Sequence, residues 1–180
     1  ADLTCGGVDD DCDGAMDEDA CDDLDPCTTN LCGLEGTCSC EIAQGLCGAT
    51  MVVVPGTETR LEDPVGGVMV VVPPEAVEED VSISLEPLPG CERQQVTGEK
   101  AGVVVRSPWR FEPDGQVFEE PVRVSLPVRG EPLEPGSWVL IVTHDPEREV
   151  WLPAKMRDDS EVFGRVSDDG QSVVFSIDHF

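Results

Sequence analysis

The sequence has no tyrosine, only three tryptophans and five phenylalanines in 180 residues, and few basic groups: eleven Lys and Arg stand against thirty-eight Asp and Glu, a formal net charge of −27. Such an acidic balance repels phosphate backbones and anionic lipid surfaces, so neither nucleic acid nor a membrane surface is expected as a partner. Cations are the natural partners. No apolar run approaches the roughly 20 residues of a membrane span, and no basic-then-apolar leader precedes Ala1, so an exported form is read here with its leader removed. The shortage is uneven along the chain. Residues 1–50 contain ten Asp, three Glu and no Lys or Arg, a formal charge of −13, and the remaining 130 residues carry the other −14.

The first 47 residues also lack Phe, Trp and Tyr, yet they hold eight of the nine cysteines: Cys5, Cys12, Cys21, Cys27, Cys32, Cys38, Cys40 and Cys47. A segment with so little apolar surface cannot offset its ordering entropy by burial, and something covalent or ionic must hold it. Disulfides are the direct answer, and they imply an oxidising compartment, secreted or at the cell surface. Zinc is the rival use of clustered cysteines. The spacings contain no Cys-x-x-Cys, however, and the first histidine is His144, which disfavours it. Eight cysteines allow 105 pairings, so connectivity stays open. Cys91, the odd one, is either a free thiol or bridges back to the front module.

From Met51 onward the texture changes to short Val-rich runs separated by Pro and Gly, with almost no helical periodicity. The expected strands are 51–54, 68–72, 81–85, 103–106, 109–111, 122–128, 138–143, 150–154, 162–166 and 173–177, at a spacing suited to a two-sheet antiparallel β-sandwich. Val81–Leu85 and Val122–Leu126 alternate apolar with polar, so one face of each is buried. Val68–Val72 is apolar throughout and reads as a central strand covered on both sides. The stretch 107–128 reads as a hairpin, with Pro113, Asp114 and Gly115 forming its turn and Gly115 supplying the positive φ. It is expected to pack on 67–85. The domains are therefore 1–48, a Cys/Asp-rich disulfide-stapled metal-binding module, and 49–180, the sandwich, with Gly48, Ala49 and Thr50 as the joint.

Three stretches of the second domain carry a family resemblance. Gly66-Gly67-Val68-Met69-Val70-Val71-Val72-Pro73-Pro74-Glu75-Ala76-Val77, then Trp109-Arg110-Phe111-Glu112-Pro113-Asp114-Gly115 with Phe118-Glu119-Glu120-Pro121-Val122, and finally Asp178-His179-Phe180, resemble the ZU5 domain over roughly residues 50–180. Pro74-Glu75 departs from the family's usual Pro-Gly. The resemblance implies a ZU5-like β-sandwich that acts as an interaction domain.

The sharpest chemical motif lies at the front. Asp9, Asp11, Asp13 and Asp17 place carboxylates along a chain that Gly14 can bend, and with the Ala15 carbonyl they suit calcium, which takes six to eight oxygen ligands. The run begins like an EF-hand loop but has Ala20 where the closing Glu belongs, so Glu18 or Asp22 would complete the shell. Without a cation these carboxylates repel one another, although a solvated acidic loop is what most charge runs are. Cys5-Gly6-Gly7-Val8-Asp9-Asp10-Asp11-Cys12-Asp13-Gly14, followed by Asp17-Glu18, resembles a Cys/Asp-rich metal-binding repeat of secreted bacterial surface proteins, with Gly6 replacing its usual Asn. The stretch 21–28 resembles what often follows that repeat, with Leu24 replacing a glycine. Clusters 9–13 and 22–25 hint at duplication.

Turnover catalysis is not expected. There is no Gly-rich phosphate loop, no His-x-x-x-His and no Gly-x-Ser-x-Gly, and on a strand Ser176, Asp178 and His179 would point to alternating faces. In some ZU5-type domains His-Phe-Ser is a self-cleavage site, so the resemblance implies a single-turnover cleavage after Phe180. His179 or His144 would then be the base, and the partner a C-terminal fragment beginning with Ser. The alternative is that Phe180 is not a natural cleavage end. Trp109, Trp138 and Trp151 read as core residues; a sugar-binding surface would need two of them exposed and coplanar. The expected function is an extracellular structural or adhesive protein with calcium as its bound ion and a protein partner or self-assembly. Alternatives are a self-processing domain that releases a downstream segment and a carbohydrate-binding module.

Overall fold

The computed structural model describes residues 26–32, 38–88, 108–129, 131–145 and 150–180, with the backbone alone for 30–32, 38–40 and 150. It is mainly β, and every strand pairing is antiparallel. The strands are β1 Thr28–Cys32, β2 Cys38–Ile42, β3 Ala49–Val53, β4 Thr59–Asp63, β5 Val68–Val72, β6 Val81–Pro87, β7 Trp109–Glu112, β8 Val117–Pro127, β9 Trp138–Leu140, β10 Val142–Asp145, β11 Val150–Pro153, β12 Phe163–Val166 and β13 Ser172–His179. They form a six-stranded sheet in the order β4-β5-β8-β13-β12-β9, a three-stranded sheet β3-β6-β7, and the two ribbons β1-β2 and β10-β11. Among the described residues no helix is long and apolar enough to cross a membrane.

One core joins the two larger sheets. Val53 of β3 and Ile83 and Leu85 of β6 meet Leu61 of β4, Val68, Val70 and Val72 of β5, Phe118, Val122 and Val124 of β8, and Phe175 of β13. Alternation explains the choice: in β4 Thr59, Leu61 and Asp63 are buried while Arg60 and Glu62 face water. The same period sets the outward row across the larger sheet, which runs Glu62, Met69, Ser125, Val174, Arg165, Trp138 by register. A second row runs Arg60, Val71, Arg123, Ser176.

Several expected features take a different form. The stretch 107–128 is not a hairpin: β7 pairs with β6 in the three-stranded sheet, whereas β8 pairs with β5 and β13 in the other. The turn after a cis Glu112–Pro113 bond carries the chain from one sheet to the next, and Gly115 does adopt positive φ, 76°. The run 138–143 is cut in two, with β9 in the six-stranded sheet and β10 in a ribbon with β11. β5 is second from the edge, and its outward Met69 and Val71 are only half-buried, so it is not covered on both sides. β4 was unforeseen because Thr-Arg-Leu-Glu-Asp has a single large apolar residue. The segment 103–106 lies outside the described residues.

Candidate functional site

Two sites emerge, one at the joint between front and body and one at the end of β13. At the joint, Cys27 and Cys47 form a disulfide with Cα atoms 5.5 Å apart. The buried Asp63 carboxylate lies beside it and accepts hydrogen bonds from the backbone N–H groups of Gly48 at 2.8 Å and of Val65 and Gly66 at 3.0 Å. The Sγ atoms and a carboxylate oxygen lie within 4.8 Å of one another, the spacing of a metal site. Both sulfurs are committed to each other, however, and the carboxylate to three amides, so the chemistry here is structural. Asp63 caps the turn after β4 and anchors Gly48, the residue where the front stretch enters β3.

At the other site, His179 at the end of β13 and Phe180 just after it line a cavity of about 720 Å³, and the buried Asp178 stands between Ile177 and His179 on the same strand. Its floor is apolar, with Val124, Leu126, Phe175 and Ile177 among the lining side chains, and both His144 and His179 line it. A register shift between Ile177 and His179 breaks the strand's alternation. In consequence Asp178 and His179, expected to point apart, are hydrogen bonded, with His179 Nδ1 2.9 Å from the Asp178 carboxylate. Arg157 adds its backbone N–H at 3.1 Å and its Nε at 3.4 Å to the same carboxylate, and its guanidinium also donates to the Phe118 carbonyl at 3.0 Å. Burial pushes the Asp178 carboxyl up, but the hydrogen bonds from His179 and Arg157 and the His179 charge outweigh it, so its pKa is lowered.

Phe180 is held on three sides. Its ring packs on Phe111 and edge-on against Phe118, with centroids 5.2 and 4.9 Å away. Its N–H donates to the Gln116 carbonyl, and its own oxygen accepts from Gly115 N–H at 2.8 Å. The glycine of the 113–115 turn therefore supplies the hydrogen-bond donor to the Phe180 oxygen.

Of the sequence-predicted residues, His144 is exposed on β10 and packs against the Trp151 ring, with centroids 5.2 Å apart. The structure brings His144 and His179 to one cavity. Asp9, Asp11, Asp13, Ala15, Asp17, Glu18 and Asp22, together with Cys5, Cys12, Cys21 and Cys91, lie outside the described residues, as do the side chains of Cys32, Cys38 and Cys40. Sequence reasoning missed Arg157, Asp63 and the Gly115 amide. Only Asp63 had a local signal, an Asp placed just before Pro-x-Gly-Gly. Among the tryptophans, Trp109 packs on the core and Trp151 on His144, but Trp138 is 68% exposed and is no core residue. No pair of exposed tryptophans forms, as a sugar platform would need. No family model and no curated protein matches this chain.

Proposed function

We propose that this chain is an extracellular or cell-surface structural and adhesive unit, in which a calcium-binding, disulfide-stapled front module is moored to a ZU5-like β-sandwich that serves as the docking body. The single observation carrying this reading is the Cys27–Cys47 bridge beside Asp63. A disulfide at the root of an acid-rich segment suits an oxidising compartment. The core shared by the six- and three-stranded sheets supports the sandwich. The test is calorimetric titration of the full chain with calcium, together with a mass-spectrometric count of free thiols. Saturable calcium binding that Asp11→Ala and Asp13→Ala abolish, with one free thiol of nine, is the expected result. Full reduction in the native protein, or no calcium binding at millimolar concentration, overturns it.

A second reading, self-processing after Phe180, is favoured by one observation: Gly115 N–H donates to the Phe180 oxygen while Asp178 orients His179 next to it. A hydrogen-bond donor on the carbonyl and an oriented imidazole are what acyl transfer requires. The hydroxyl of a following serine would add to the Phe180 carbonyl carbon as His179 takes its proton. The C–N bond breaks, the proton passes to the leaving nitrogen, and water hydrolyses the ester to a Phe180 carboxylate. An intact mass on a chain extended past Phe180 checks it: cleavage is expected in the parent and lost in His179→Ala, whereas an uncleaved parent ends this reading.

A further inference from the structure

We propose that the outward face of the six-stranded sheet, at its β9–β12 edge, binds the acid-rich segment 9–25 of a second copy of this chain. The described cations of the body mostly sit beside carboxylates: Arg60 with Glu62, Arg110 with Glu86, Lys155 with Asp159 and Arg157 with Asp178. Arg123 and Arg165 are exposed and, among the described residues, have no carboxylate within ion-pair distance. In a chain with thirty-eight acids and eleven cations, two unmatched arginines on one face mark a place where negative charge is to be supplied from outside.

The registers put these arginines together with exposed aromatics. Arg165 stands directly opposite Trp138, and Phe163 lies two residues along the same strand, so all three project from the same side of the sheet. Trp138 is 68% and Phe163 48% exposed. Arg123 is on that side too, two strands and two residues from Arg165, or roughly 12 Å by strand spacing and rise. Gly164 makes this display possible: a Cβ there would collide with Val173, so glycine alone lets β12 lie close on the core with its flanking residues turned outward. Tryptophan and arginine are the side chains that anchor protein interfaces, and Arg can grip carboxylates in a bidentate fork.

The occupant follows from charge. Residues 9–25 carry nine Asp and one Glu without a single Lys or Arg, interrupted by Met16 and Leu24, which can meet the aromatics. The root of this segment is moored by Cys27–Cys47 next to Asp63 on β4, at the opposite edge of the sheet and on its buried side. Five strand spacings, about 24 Å, and a change of face separate that root from the outward side of β9, so the chain's own front would have to wrap around the sheet, whereas a neighbour's front meets the face directly. Such a contact joins unlike surfaces and leaves the pair with one free front and one free face, so assembly extends head to tail. The repulsion between two acidic bodies is screened beyond about 8 Å at physiological salt, whereas touching groups keep their attraction.

This inference rests on the self-assembly part of the proposed function and not on calcium, so the test is run in chelator, where metal and arginine do not compete for the carboxylates. Sedimentation velocity of the full chain at physiological salt, over a wide concentration range, is expected to show mass growing past a dimer. Arg165→Glu and Trp138→Ala should each weaken association by about tenfold or more with unchanged melting temperature. Replacing Asp22, Asp23 and Asp25 by Lys should likewise abolish self-association, and mixing that variant with Arg165→Glu should restore a complex. A chain that stays monomeric, association indifferent to Arg165 and Trp138, or a face that instead binds polygalacturonate in an Arg165-dependent way would each overturn the proposal.

Discussion

The front of the chain and the Val-rich body meet the same requirement by opposite means. The body removes large apolar side chains from water, with Phe118, Ile83 and Leu85 at or near zero exposure. The described front has little to bury, and it is tied down by a disulfide and by a carboxylate that collects three amides. Area burial is spread over many contacts and tolerates small losses, whereas a staple concentrates stability in a few bonds. Losses in the body should therefore scale with the apolar area each substitution removes, whereas cutting the staple should release the whole front at once.

The largest expected effect tests the body. Phe118→Ala removes a ring that touches Phe180 and leaves a cavity, and it should cost about 3–5 kcal/mol in urea unfolding. Next comes the staple: replacing Cys27 and Cys47 together by Ser should cost about 2–4 kcal/mol and expose the front to proteolysis before the body. If the body loosens first, the contrast is wrong. Asp63→Ala strands the amides of Gly48, Val65 and Gly66 and should cost about 1–3 kcal/mol.

Asp178 sharpens the comparison through pH. Its pKa is lowered on folding, so its contribution to stability is complete above the ordinary carboxylate range and is lost as pH falls through the lowered value. The stability advantage of the parent over Asp178→Asn, measured by urea unfolding, should be present at neutral pH and fade in acid. The smallest effect is Trp138→Ala, which should change stability by no more than about 0.5 kcal/mol, since the side chain lies outside the core.

Much of the strand content was legible because alternation is local. Val81 to Leu85 and Val68 to Val72 read as strands from their own residues, and both occur. β4 was not legible: its Thr and Asp are buried for reasons of position and hydrogen bonding rather than hydrophobicity. The 107–128 hairpin failed because period and turn chemistry specify two strands and a reversal but not that the strands pair with each other. At the end of β13, strict alternation was expected to part Asp178 from His179, and a single irregularity brought them together. Arg157 and Gly115 could not be foreseen, since each reaches the site from a distant part of the chain.

The sequence by itself determined that this is a β protein with an acidic, sulfur-rich front, because composition and two-residue periodicity act over a few neighbouring residues. Only the tertiary structure decided which strands share a sheet, that Cys27 meets Cys47 beside Asp63, and that Trp138, Phe163 and Arg165 face outward together. Those outcomes depend on register and sheet order, which are set by contacts between segments far apart in the chain.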